Sequence, residues 1–338
     1  MDTTEQKQIR IALDAMGGDY APDAMVKGAA QAVKDMDIHM FLVGQEDKIR
    51  PLLEKENYPK EKIEIVPASE IIEMGEHPTT AIRQKKDSSM VVGMKMVKDG
   101  KADAFVSAGS TGALLVGGLT IVGRIRGVER PVLATPLPTL EGFSLLVDSG
   151  ANVDCKPQYL YQFAQMGSIY AKNVLDLEKP RVGLINIGAE KEKGNMLTKE
   201  SYALLEESSM NFVGNVEARN IPYGEADVLV CDGFIGNTVL KLYEGVSKTL
   251  MKAMKEELTK GLYVLPTLAL VKPFSRLKHR FDADEIGGAP FIGLKQLVVK
   301  AHGSSKEKAI YHAIRQCKTF MEHDVTAQIA AAVQAEKT

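Results

Sequence analysis

Short runs of continuous apolar residues alternate along this chain with longer stretches of helical period. The runs are Ile9–Leu13, Ile38–Val43, Lys62–Val66, Ala104–Ser107, Ser144–Val147, Val182–Asn186, Val228–Cys231 and Leu297–Lys300. Segments such as LLV at 145–147 and VLV at 228–230 lack the alternation of a half-exposed strand, which is the pattern of strands covered on both faces. Helical patterns lie between most of the runs, among them PDAMVKGAAQAVKDM from Pro22 and KEKAIYHAIRQCKTF from Lys306. The expected class is α/β, an α/β/α sandwich with a mainly parallel sheet. In such sheets ligands collect beyond the carboxyl ends of the strands.

The loops at those ends carry the unusual residues. Ile11–Pro22 reads IALDAMGGDYAP, where an apolar run ends at Asp14 and passes at once into Gly17 and Gly18. Paired glycines allow positive φ and close approach of main-chain N–H groups to a ligand, and Pro22 suits a first helical turn. After Ala104–Ser107 comes AGSTGALL, in which Ser110 or Thr111 can cap a helix and Gly109 and Gly112 keep the backbone accessible. DSGANVDCKP, IGAEKEKGN and DGFIGN follow three further strands. Together these form a polar, flexible rim suited to an anion.

Bulk properties narrow the classes. The 338 residues carry a net charge of −2 with 45% hydrophobic and 25% charged residues, and no basic stripe, which argues against nucleic acid as partner. Cys155, Cys231 and Cys317 are too few and too scattered for a disulfide framework or a zinc site, so a reducing, cytoplasmic setting is expected. The N-terminal MDTTEQKQ lacks the apolar core of a signal peptide, and no run approaches the ~20 apolar residues of a membrane span. No linker composition divides the chain. The expected organisation is a flexible extension over 1–8 and a catalytic α/β unit over 9–338, single or of two interleaved subdomains, with 258–281 a protruding amphipathic segment.

DAMGGDYAP, SAGSTGA (Ser107–Ala113), DSGANVDCKP (Asp148–Pro157), GAEKEKGN (Gly188–Asn195), GNVEAR (Gly214–Arg219), DGFIGN (Asp232–Asn237) and KAHGSS (Lys300–Ser305) together resemble the bacterial phosphate acyltransferases of phospholipid synthesis, in order and from about Ile9 to the last helices. The resemblance implies an isocitrate/isopropylmalate-dehydrogenase-like or phosphotransacetylase-like fold working as a homodimer. It also implies transfer of a long-chain acyl group from acyl carrier protein to inorganic phosphate. The acyl phosphate would supply a membrane-bound acyl phosphate:glycerol-3-phosphate acyltransferase, placing the chain in the cytoplasm, peripheral to the inner face of the membrane. No cofactor and no metal are expected.

Such chemistry makes light demands on side chains, because phosphate is largely ionised near neutral pH and a thiolate leaves readily. It needs a dry cradle and donors aimed at the oxyanion, not a nucleophile triad. The expected phosphate and substrate contacts are Asp14, Gly17, Gly18, Ser110, Thr111, Gly112, Asn152, Asp154, Lys156, Asn186, Asn195, Asp232, Gly233 and Ser304. Lys193, Asn237 and His302 are the catalytic candidates: a point charge, an amide donor, and a histidine to protonate the thiolate or donate to phosphate. Asp14, Asp148, Asp154 and Asp232 would repel phosphate and need another job, open between capping turns, orienting Lys156 or Arg219, receiving pantetheine N–H groups and sharing a divalent ion. Cys155 and Cys231 read as packing residues, and Met251 and Met254 lie on a helix that either lines an acyl groove or packs the core.

The segment Leu258–Phe281 mixes apolar residues with Lys272, Arg276, Lys278 and Arg280, and Pro266 and Pro273 divide it. It fits a membrane surface, a dimer interface or both. Three rival readings remain. A coenzyme A-dependent phosphate acetyl- or butyryltransferase would share the phosphate chemistry, an NAD-dependent decarboxylating dehydrogenase is disfavoured by the lack of G-x-G-x-x-G, and a membrane-peripheral scaffold would leave the polar loops without purpose.

Overall fold

A computed structural model describes residues 8–260, 271–277 and 287–335. The chain divides into two compact units: Met1–Ala134, Ile169–Glu178 and Ile286–Thr338 form the first, Thr135–Ser168 and Lys179–Glu285 the second.

Unit 1 is built on strands β1 (Ile9–Asp14), β2 (Ile38–Gly44), β3 (Ile63–Pro67), β4 (Ala104–Ser107) and β5 (Val132–Leu133), joined by two late strands, β11 (Ala289–Ile292) and β12 (Leu297–Lys300). Their order is β3-β2-β1-β4-β12-β11-β5, parallel from β3 to β12 and antiparallel for β11 and β5. All four residues of β4 are buried although their side chains alternate in direction, so the sheet is covered on both faces. On β4, helix α4 (Ser89–Lys98) sets Gly93 against the Phe105 ring, where an added Cβ would stand 2.2 Å from the ring. Helix α1 (Asp23–Asp35) lies against the helix Glu307–Glu322 with Gly28 on Ile310.

Unit 2 holds β6 (Thr135–Thr139), β7 (Gly142–Val147), β8 (Val182–Asn186), β9 (Phe212–Glu217) and β10 (Val228–Val230) in the order β6-β7-β10-β8-β9. Only the edge strand β6 is antiparallel, and it carries Pro136 and Pro138, which an edge tolerates because one side of its ladder is unused. Helices α6 (Pro157–Val174), α7 (Met196–Glu206) and α8 (Gly233–Leu258) follow β7, β8 and β10. Leu146, Ile185, Val216 and Leu229 form the core, with Val239, Leu240 and Tyr243 of α8 packed on it.

Both units lock the amino edge of their central strands in the same way. Arg10, near the start of β1, and Asp103, before β4, form a bidentate pair, and Arg181 and Asp227, before β8 and β10, form another, with each guanidinium also bonded to a glycine carbonyl, Gly100 or Gly224. These pairs lie away from the carboxyl ends and serve strand register.

All eight strand runs read from the sequence are present within about two residues at either end. The strands β5, β6, β9 and β11 were not expected. The first two break on prolines, β9 contains Gly214 at φ 95°, and β11 opens with Ala289 and Pro290.

Candidate functional site

In unit 1 the chain runs outward from β1 to β2 and β3, then returns to place β4 on the other side of β1. The sheet order therefore reverses at the carboxyl end of β1, where a crevice opens in such folds. The turn Asp14–Asp19 occupies that point. Asp14 is 2% exposed, and its carboxylate accepts from Ser107 Oγ at 2.7 Å and from the Met16 N–H at 3.1 Å. Ser107 Oγ in turn accepts from the Gly109 N–H at 3.0 Å. Gly17 is wedged in this network: a Cβ there would lie 2.5 Å from Asp14 Oδ2 and 2.8 Å from the Gly109 nitrogen. Gly18 takes φ 104°, and the Asp19 N–H donates to the Gly303 carbonyl at 2.8 Å. Three strand ends are thus tied into one rim, and Asp14 orients that rim from beneath.

Ser110 caps α5 (Thr111–Gly117) by accepting from the Ala113 N–H at 3.4 Å, Thr111 is half-buried, and Gly112 packs on Pro78. His302 is exposed, and its Nδ1 accepts from the Ser304 N–H at 3.2 Å with Ser304 Oγ at 2.8 Å, so the neutral ring carries its proton on Nε2.

One residue of this rim was missed. Lys300 ends β12 and is 8% exposed, the single lysine or arginine so buried among the described residues. Its ammonium donates to the Ala108 carbonyl at 3.3 Å and to that of Ala301, both in loops of the rim. The signal was available: a lysine closing the apolar run LVV is out of place in a strand covered on both faces.

Burial pushes the Asp14 carboxyl above the ordinary carboxylate range, partly offset by hydrogen bonds from Ser89, Ser107 and the N–H groups of Met16 and Gly17. An acid raised in the folded state holds its proton more tightly there than when unfolded. Its contribution to stability is therefore greatest at low pH and declines as pH rises from the ordinary carboxylate range through the raised value. Asp14→Asn cannot ionise. Its Tm relative to the parent is expected to move in the variant's favour as pH rises from about 4 to about 8, and a pH-independent difference would contradict the assignment.

In unit 2 the carboxyl ends of β7, β10 and β8 carry the remaining candidates. Asp148, fully buried, accepts from the N–H groups of Gly150, Ala151 and Asn152 and from Asn152 Nδ2 at 2.5–3.2 Å, folding 148–152 into a closed loop. Helix α8 starts against that loop. The Gly233 N–H donates to the Asn152 carbonyl at 2.7 Å, Asp232 caps the helix by accepting from the Ile235 N–H at 2.8 Å, and Gly236 faces the Asp148 carbonyl. Asn237 is exposed beside Gly150, while Asp154 and Lys156 stand exposed further along the loop.

Asn186 is buried and donates to the Lys193 carbonyl and to Asn215 Oδ1, both at 3.1 Å; Asn195 caps α7 by accepting from the Thr198 N–H at 2.9 Å. Both amides shape the 187–195 loop, from which Lys193 projects into solvent. Cys231 is buried with its Sγ 3.7 Å from the Asp148 carbonyl, and burial pushes its thiol well above the ordinary range, with the neighbouring Asp148 and Asp232 adding to the rise. It is a packing residue, not a nucleophile.

The structure thus gathers Asp14, Gly17, Gly18, Ser110, Thr111, Gly112, His302 and Ser304 in unit 1. Asn152, Asp154, Lys156, Asn186, Lys193, Asn195, Asp232, Gly233 and Asn237 gather in unit 2. Of the carboxylates, Asp14, Asp148 and Asp232 hold main-chain N–H groups, and Arg219 pairs with Glu217.

Residues 9–328 match the family model described as "Fatty acid synthesis protein". The chain is 48% identical over 328 residues to the phosphate acyltransferase of Thermoanaerobacter pseudethanolicus, covering 96% of this chain and 98% of that one. It is 52% identical over 325 residues to that of Clostridium botulinum, covering 95% and 98%. Among solved structures it is similar in fold to a phosphotransacetylase from Streptococcus pyogenes, with TM-score 0.58 and 17% identity over 98% of this chain and 95% of that one. It is also similar in fold to a 4-hydroxythreonine-4-phosphate dehydrogenase from Klebsiella pneumoniae, with TM-score 0.50 and 12% identity over 96% of this chain and 99% of that one. With this identity along nearly its whole length, on an α/β fold of mainly parallel sheets, the chain belongs to the phosphate acyltransferase family of acyltransferase enzymes.

Proposed function

We propose that this enzyme moves a long-chain fatty acyl group from acyl-acyl carrier protein to inorganic phosphate by direct attack. A phosphate oxygen bonds to the thioester carbonyl carbon, the carbonyl oxygen takes the negative charge, and collapse of the tetrahedral species breaks the C–S bond. The carrier thiolate departs and takes up a proton, leaving acyl phosphate. The observation that carries this reading is the unit 1 rim at the sheet reversal, where Gly17 admits no side chain and Lys300 places a buried positive charge between the loops that follow β4 and β12. Phosphate is seated there, with Ser110, Thr111, Gly112 and Ser304 around it and His302 donating from Nε2. In unit 2, Lys193 and Asn237 are the proposed donors to substrate oxygens; neither side chain makes a hydrogen bond among the described residues.

The acyl phosphate is proposed to pass to a membrane-bound glycerol-3-phosphate acyltransferase, with this enzyme cytoplasmic, dimeric and peripheral to the membrane. No helix among the described residues is long and apolar enough to cross a bilayer. Helix α8 does leave Leu242, Val246 and Leu250 exposed at four-residue spacing, a stripe suited to a second copy or a lipid surface. Of the segment 258–281, residues 261–270 and 278–281 lie outside the described residues, and 271–277 is helical.

The deciding assay is phosphate-dependent release of free thiol from palmitoyl-acyl carrier protein, with acyl phosphate trapped by hydroxylamine. Release without phosphate, or a clear preference for coenzyme A thioesters, overturns the reading. Sedimentation and vesicle flotation of Val246→Glu test the α8 stripe, and unchanged behaviour in both would remove it from either role.

A further inference from the structure

Between β3 and α4 the chain makes a detour, residues 69–88, that leaves the edge strand of the unit 1 sheet and returns to start the helix. Its base is closed by a web of hydrogen bonds. The Ser69 N–H and Oγ donate to the Asp87 carboxylate at 3.0 and 2.5 Å, the Asp87 N–H donates to Glu70 Oε2 at 3.0 Å, and the Glu70 N–H donates to the Asp87 carbonyl at 3.1 Å. A clamp holds the middle. Lys85 Nζ donates to the Ile71 carbonyl and to Glu76 Oε1, both at 2.6 Å, and the Glu73 N–H donates to the same Glu76 oxygen at 2.7 Å. Tied at two levels, the detour is a strap of defined shape rather than a loose loop.

The strap lands on the unit 1 rim. β2 lies between the edge strand β3 and β1, so the strap crosses the carboxyl end of β2 to arrive there. Met74 Cε stands 3.4 Å from where a Cβ on Gly303 would sit, in the loop after β12, and Pro78 Cγ stands 2.7 Å from the corresponding point on Gly112, beyond β4. These are the same two chain segments between which the Lys300 ammonium is held, by the carbonyls of Ala108 and Ala301. Lys300 is 8% exposed and Met74 54%, while Gly75 has nothing within 4 Å of its would-be Cβ. The lysine therefore lies at the bottom of the gap, and residues 74–78 span it on the solvent side.

We propose that the strap caps the phosphate seat and that Met74 is a specificity-determining residue there, keeping water from the thioester carbon so that phosphate attacks it instead. The inference rests on the acyl-transfer reading and adds to it the choice of nucleophile. Phosphate and water compete for one carbonyl carbon. When water attacks, its oxygen bonds to that carbon, the C–S bond breaks, the proton it sheds goes to the departing thiolate, and free fatty acid is formed in place of acyl phosphate. Water is by far the more abundant nucleophile, and a seat that only binds phosphate does not exclude it. The side chains proposed around the seat, Ser110, Thr111, His302 and Ser304, can all hold a water by hydrogen bonding, whereas a thioether is a poor acceptor and no donor. Met74 is the apolar side chain that the strap lays against Gly303, between His302 and Ser304, and its unbranched, adaptable chain suits a surface that closes on a substrate.

The test is the partition of products. The full-length enzyme turns over palmitoyl-acyl carrier protein at saturating phosphate with hydroxylamine present, and acyl hydroxamate is counted against thiol released. In the parent, nearly all thiol should be matched by hydroxamate. Met74→Ala, at an exposed side chain, and Lys85→Met, which opens the clamp, are expected to raise the unmatched share by at least about fivefold while total thiol release stays within about threefold. Lys318→Met, which breaks the pair with Glu322 near the far end of the helix Glu307–Glu322, should leave the share unchanged. An unchanged partition in Met74→Ala overturns the proposal whatever happens to its turnover, and this variant decides alone if Lys85→Met is too unstable to assay. An equal rise in Lys318→Met would mean general loosening and overturns it too. Thiol release by the parent that does not depend on phosphate would instead refute the acyl-transfer reading.

Discussion

Replacing Lys300 by methionine is expected to raise the KM for phosphate by roughly 30- to 100-fold while kcat at saturating phosphate stays within a few-fold, the loss of one charge-assisted hydrogen bond worth about 2–3 kcal/mol. The Lys300 ammonium is buried between the loops that follow β4 and β12, held by the carbonyls of Ala108 and Ala301. An ammonium at that point adds attraction for an anion seated against the rim. Methionine keeps the length and the apolar stem without the charge, so its effect on folding is small. Steady-state kinetics against phosphate, with the Tm measured in parallel, checks the result. A variant with lowered Tm and unchanged phosphate KM would show that Lys300 only staples the two loops.

Gly236→Ala is expected to destabilise unit 2 by about 3 kcal/mol or more, despite the ~1 kcal/mol that alanine gains over glycine inside a helix. An added Cβ would stand 1.8 Å from the Asp148 carbonyl oxygen and 3.1 Å from Cys231 Sγ. That carbonyl cannot move freely, because the Asp148 N–H donates to the Cys231 carbonyl and the Asp148 carboxylate gathers the loop behind it. Helix α8 must lift instead, which breaks the Gly233 contact with Asn152 and shifts Asn237. Gly245 lies in the same helix with nothing within 4 Å of its would-be Cβ. Gly245→Ala should therefore stabilise by about 0.5–1 kcal/mol. Denaturant unfolding of the two variants separates packing from propensity, and effects of the same sign would rule out the close approach at Gly236.

Much of the site could be read in advance from residue types whose conformational needs are local. The glycines at 17, 18, 233 and 236 stand directly beyond apolar strands, and the structure places each where a side chain is excluded or φ is positive. The capping choice left open between Ser110 and Thr111 falls to Ser110. Roles were less legible than positions. Asn186, Asn195 and Asp232 look alike in sequence to substrate-binding amides and acids, but their polar atoms are engaged by the main chain around them. Lys193, Asn237 and His302 project outward from the loops, as do Asp154 and Lys156, and no sequence signal distinguishes a projecting side chain from one folded back.

The sequence by itself determined the strands, the helices between them and the glycine-rich loops at their ends, because hydrophobic period and the allowed φ of glycine act within a few residues. Family membership was legible too, since the motifs run in order along the chain. What only the tertiary structure decided was the splitting of the strands into two sheets, the insertion of β12 beside β4 from nearly two hundred residues away, and the burial of Lys300 that follows. Those outcomes depend on which apolar faces cover one another, and that is settled by the packing of distant segments rather than by any local preference.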